Sequence, residues 1–141
     1  MVINPYSATA RAILAAEVGT GASSEQVADG AAHAWDTLLR HLERIVGDAG
    51  VRMILGRSAR LVSATFPCLA KAAIDRAESP GRELRTVLAG QAPDTAIEAF
   101  VALTATFQSI VARLIGDHLL THLLSELWPE VLSPGSAERS S

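Results

Sequence analysis

Apolar side chains recur at steps of three and four from Val27 through Ala31, Ala34, Trp35, Leu38, Leu42 and Ile45. That period suits only an α-helix with one buried face, because a strand buries alternate residues. A second stripe follows the same rule through Ile97, Phe100, Val101, Thr104, Phe107, Val111 and Leu114. Alanine, the strongest helix former, dominates the residues between them, while β-branched residues are scattered singly. The expected class is therefore all-α: a helical bundle of about five to seven helices.

Punctuation sets the expected ends. Ser7 opens a short helix that Gly19-Thr20-Gly21 closes, and Ser23-Ser24-Glu25-Gln26 reads as a capping box for the next. Gly47-Asp48 interrupts that helix, and Pro67 ends its continuation. Residues 68–78 look helical, Ser79-Pro80-Gly81 is a break, and 82–89 is a short segment ending at Gly90. Pro93-Asp94 opens a long helix, Gly116-Asp117 breaks it, and the last helix runs from Asp117 to Trp128 before Pro129. Past Gly116 the apolar positions jump in phase by one to two residues, which favours a turn over a continuous helix. Residues 1–132 read as one domain, and the Ser/Pro/Gly-rich stretch 133–141 as a disordered tail.

The two Gly-Asp junctions also suggest a repeat. Superposing Val46-Gly47-Asp48 on Ile115-Gly116-Asp117 aligns Leu38 with Phe107, Leu42 with Val111, Val51 with Leu120 and Leu55 with Leu124. Both units end in an aromatic followed by proline, Phe66-Pro67 and Trp128-Pro129. On this reading, helix pairs 23–66 and 94–128 are pseudo-repeats, two hairpins that bury their stripes against each other.

Composition excludes more than it assigns. The net charge is −3 and aromatics are 4% of the chain, so neither a basic field nor a stacking platform for nucleic acid is present. Charge is uneven, with five Arg against two acids in residues 40–60 and six acids against two Arg in 91–141. Such a split can orient two copies head to tail. Arg52, Arg57 and Arg60 after a tight turn resemble a DNA-reading helix only superficially, since Met53, Gly56 and Ala59 flank them. No membrane span is expected, because the best apolar run, Ala96 to Ala105, contains Glu98. A single cysteine and a start without a basic, then apolar, leader fit a cytoplasmic protein. Eleven Arg against one Lys fits a GC-rich bacterial genome.

Three groups of polar residues are candidate sites. His118 and His122 lie one turn apart with Glu126 a further turn on, a spacing at which two imidazoles and a carboxylate can share a metal ion. The general-base glutamate of a zinc-protease helix is missing between them. His33 and His41 lie on one side of the second helix, where solvated histidines are the plainer reading. Cys68 follows Pro67 at a helix start and lies between Phe66 and Leu69, as an inert packed thiol would. Neither a nucleophile–base pair nor a phosphate-binding glycine loop is evident, so an enzyme is the less favoured class and no cofactor is expected. Leu119, Leu120, Leu123, Leu124, Leu127 and Trp128 cover about half of the last helix, more than a surface helix needs. That surplus points to an interaction face, and so to a homodimer or a partner protein. The expected function is a self-associating protein-interaction or regulatory module; the alternative is a small-ligand or metal sensor with its site between helices.

Overall fold

A computed structural model describes residues 4–19, 21–70 and 74–132. Among these residues there are seven α-helices, one short 3-10 turn and no strand. The helices are α1 (Ser7–Val18), α2 (Ser24–Val62), α3 (Pro67–Ala70), α4 (Pro80–Ala89), α5 (Pro93–Ile115), α6 (Asp117–Leu127) and α7 (Pro129–Leu132). The 3-10 turn is Ile74–Arg76, between α3 and α4.

The starts of α2 and α4 follow the capping chemistry. Ser23 Oγ accepts from the Gln26 N–H at 3.2 Å, and Gln26 Oε1 accepts from the Ser23 N–H at 2.9 Å, the reciprocal box expected. Ser79 caps α4, which therefore begins at Pro80, two residues before the expected segment. Ser7 lies inside α1 and does not cap it; Tyr6 holds the N-cap position. Residues 71–73 of the stretch expected to be helical, and the whole expected tail 133–141, lie outside the described residues.

Both Gly-Asp junctions are breaks. Gly47 has φ 80 and ψ 162, and Gly116 has φ 94 and ψ 148. L side chains avoid this region, so glycine is what lets the chain turn there. The break at Gly47 divides α2 into a first arm, 24–46, and a second arm, 48–62. Phe66-Pro67 and Trp128-Pro129 also behave alike, each proline starting a four-residue helix.

Three contacts define the packing of the long helices. Ser24 Oγ donates to the Gln91 carbonyl at 2.7 Å, and Trp35 Nε1 donates to Thr104 Oγ1 at 3.1 Å. The Trp35 and Phe107 rings meet edge to face, their centroids 4.7 Å apart. The first arm of α2 and α5 therefore run parallel. Arg11 meets Glu98 while Tyr6 meets Asp117, so α1 lies antiparallel to α5. Gly81 touches Asp36 while Arg85 reaches Asp29, so α4 lies antiparallel to the first arm. Beyond the bend, Arg52 and Gly56 of the second arm meet Asp75 of the 3-10 turn, whereas α6 packs on α5 and α7.

The core is the meeting of these stripes, with Ile13, Leu42, Leu55, Leu84, Leu88, Phe100, Leu103, Phe107, Leu120 and Leu124 sealed from water. By length and apolarity alone α5 passes the test for crossing a bilayer, with a mean hydropathy of 1.4 over its best window. In the bundle, α5 carries Ala96, Ala99, Phe100, Leu103 and Phe107 fully inside the core. Gln108 on the same helix is also sealed, and neither of its amide atoms has a hydrogen-bond partner.

Candidate functional site

The six residues expected to form an interaction face mostly point inward. Leu120, Leu123, Leu124 and Trp128 are buried, Leu127 is half-buried, and Leu119 alone is exposed, at 44%. The leucine stripe is wide because α6 has neighbours on more than one side. α5 and α7 pack on it, and Trp128 shares a small void with Ile13, Trp35 and Phe100. The indole N–H of Trp128 also donates to Glu17 Oε2 at 3.0 Å, tying this end of the chain to α1. The supposed surplus belongs to the protein's own core.

His118, His122 and Glu126 are all exposed, and His122 Nε2 lies 3.5 Å from Glu126 Oε2. Among the described residues, no group of three His, Cys, Asp or Glu side chains is placed to hold a metal ion. The helical spacing aligns the three residues, but they stand on an open convex face with no wall to exclude water. His41 Nδ1 lies 2.9 Å from the Thr37 carbonyl, to which it donates, within its own helix. Cys68 is half-buried and packs against the core.

His33 has a more specific setting. Its Nδ1 lies 2.6 Å from Glu17 Oε1, and the other oxygen of that carboxylate holds Trp128. Glu17, largely covered, thus joins the ends of α1 and α6 to the first arm of α2. An open groove beside it is lined by Glu17, Val18, Gln26, Asp29, Gly30 and His33.

A concavity lies at the bend in α2. It is a cleft of about 410 Å³ between the two arms and the start of α4. Leu39, Val51 and Leu55 form its floor; Asp36, Arg40, Glu43, Asp48, Arg52 and Glu78 form its walls, with Ser79 and Pro80 at the edge. Arg52 anchors one wall. Its Nε lies 3.2 Å from both oxygens of Asp48, and its Nη1 donates to the carbonyls of Asp75 and Ala77 at 3.0 and 2.6 Å. Asp36 is pressed against Gly81, where a Cβ would stand 3.1 Å from the Ala32 carbonyl oxygen, so a larger residue would displace the Asp36 carboxylate and push α4 outward by a few tenths of an ångström. The sequence offered one signal of this cleft, the Gly47-Asp48 break. Its other wall, Glu78 to Pro80, comes from a distant segment that only the fold brings near.

Two polar links outside the cleft shift the ionisation of their members. Burial, then the hydrogen bond to Asp117, pushes the Tyr6 phenol up to about 12. The paired hydrogen bonds from Arg11, at 2.8 and 3.0 Å, hold the Glu98 carboxyl below its usual range and raise the Arg11 guanidinium.

No family model, no curated protein and no solved structure matches this chain.

Proposed function

We propose that this chain is a helical protein-interaction module that associates with itself. The observation that carries the reading is the outer face of the second arm of α2. Its inner residues Val51, Ile54, Leu55 and Val62 are buried, yet Met53 and Leu61 remain 72% and 56% exposed. Isolated exposed apolar residues are ordinary, but two large ones on one short arm are the kind of surface that a partner covers. Leu114 and Leu119 on either side of Gly116 add to the uncovered apolar area, at 63% and 44%. Sedimentation equilibrium across a hundredfold range of concentration tests the reading. A rising mean mass is expected, and a constant monomer mass refutes it.

The duplicated-hairpin reading supports the same proposal, since a unit that buries its stripe against a similar unit is suited to pairing with a separate copy. Its support is the shared conformation of Gly47 and Gly116, the matching aromatic-Pro helix starts, and the parallel first arm and α5 with contacts 67 and 69 residues apart. A cytoplasmic, bacterial setting is part of the proposal and rests on the single cysteine and the Arg-rich usage.

A second reading, a small-ligand sensor, draws its support from the cleft at the bend. An apolar floor ringed by ionisable groups suits a small organic ion. Thermal-shift measurements with organic amines and carboxylates test it: stabilisation by one class and its loss in Arg40→Ala or Glu43→Ala are expected, and no shift with any refutes it.

A further inference from the structure

We infer that the contact between copies joins the outer face of the second arm of α2 on one copy to the outer face of α6 on the next. This rests on the self-association reading above and names both of its surfaces. Residues 49–66 contain Arg52, Arg57 and Arg60 and no acid. Residues 114–132 contain Asp117, Glu126 and Glu130 and no Lys or Arg. Arg52 is engaged within the fold, with Asp48 and two carbonyls, while Arg57 and Arg60 point to solvent beside Met53. Opposite the buried Leu120 and Leu124, α6 presents Leu119, His122 and Glu126 to solvent.

The two faces match in register as well as in sign. Met53 and Arg60 are seven residues apart, as are Leu119 and Glu126. Seven residues are close to two helical turns, so each pair lies on one line along its helix. Laid parallel, the helices set Met53 on Leu119 and Arg60 on Glu126, with Arg57 facing His122 and Glu126. The apolar pair is covered and the charges oppose each other in one placement. The occupant is a second copy of this chain, because the chain itself carries both complementary halves, with Met53, Arg57, Arg60, Leu119, Glu126 and Glu130 exposed. Asp117 is held by Tyr6, and Glu126 lies 3.5 Å from His122 of its own helix. The contact is small, so association is weak and sensitive to salt.

Sedimentation velocity at low salt, on the full chain, tests this. Wild type is expected to associate, and Arg57→Glu with Arg60→Glu is expected to weaken association at least tenfold. Adding Glu126→Arg and Glu130→Arg to that variant restores complementary charge and is expected to restore association. Circular dichroism and melting temperature are expected to be unchanged, as every altered side chain is exposed. If wild type associates and neither the reversal nor Met53→Glu weakens it, this pairing is overturned and self-association stands. A wild type that stays monomeric overturns both. A monomer that instead co-floats with vesicles rich in phosphatidylserine assigns the basic face to an anionic membrane and overturns the pairing.

Discussion

Replacing Gly47 by alanine isolates the bend in α2, and Gly50→Ala three residues later is its control. At Gly47, φ 80 and ψ 162 place the backbone in a region nearly closed to L side chains, yet an added Cβ meets nothing within 4 Å. The penalty is therefore purely conformational, about 1–3 kcal/mol. Alanine also restricts the unfolded chain, which returns about 0.4–1 kcal/mol. The net expectation is a destabilisation of about 1–2 kcal/mol. Gly50 lies within the second arm, and its Cβ would sit 3.4 Å from Val46 Cβ, an ordinary contact. Alanine there is expected to stabilise by about 0.5–1 kcal/mol through helix propensity.

The two substitutions thus move in opposite directions, about 1.5–3 kcal/mol apart. Urea denaturation monitored at 222 nm measures both, with equal slopes checking that the unfolding transition stays comparable. For a chain of this size each kcal/mol corresponds to roughly 2–5 °C in melting temperature. Gly47→Ala as stable as wild type, or shifted in the same direction as Gly50→Ala, refutes the bend and with it the cleft.

Four further outcomes are expected. Leu124→Ala removes a sealed side chain from α6 and is expected to cost about 2–5 kcal/mol, whereas Leu119→Ala on the open side stays within about 0.5 kcal/mol; thermal denaturation separates them, and equal effects contradict the inward orientation of the stripe. Gln108→Met keeps the volume while removing a buried amide that has no partner, and is expected to raise stability by about 1–2 kcal/mol in urea. Because the Glu98 pKa is depressed in the fold, the link to Arg11 contributes stability above the ordinary carboxylate range and loses it as pH falls through the lowered value; Glu98→Gln is expected to flatten the acid limb of the stability–pH curve. The Tyr6 phenol shifts the other way, so its contribution is present below its ordinary pKa of 10.0 and disappears as pH rises toward about 12; Tyr6→Phe is expected to lower stability at pH 9 and to remove that alkaline loss.

What the sequence made legible follows from range. The capping box at Ser23, the breaks at Gly47 and Gly116 and the proline start at Pro93 are decided within a few residues, so local chemistry names them. The side facing a neighbour is also set by period, but the number of neighbours is not. Six apolar residues in 119–128 look identical whether a foreign partner or α5, α7 and α1 cover them. That ambiguity is why the expected docking face turned out to be core. The opposite error occurred on the second arm of α2. The exposure of Met53 and Leu61 became visible only once Val51, Ile54 and Leu55 had been placed inside. The cleft illustrates the same limit: Arg52 reaches the carbonyls of Asp75 and Ala77 across 23 and 25 residues of chain, and no periodicity in either segment encodes that meeting. An apolar stripe thus fixes which way a helix must face, while its leftover surface can be identified only after every neighbour has been counted. By that subtraction the uncovered apolar surface includes Met53 and Leu61 on the outer face of 48–62 and Leu114 and Leu119 on either side of Gly116, and a partner of this chain is to be sought on those two faces.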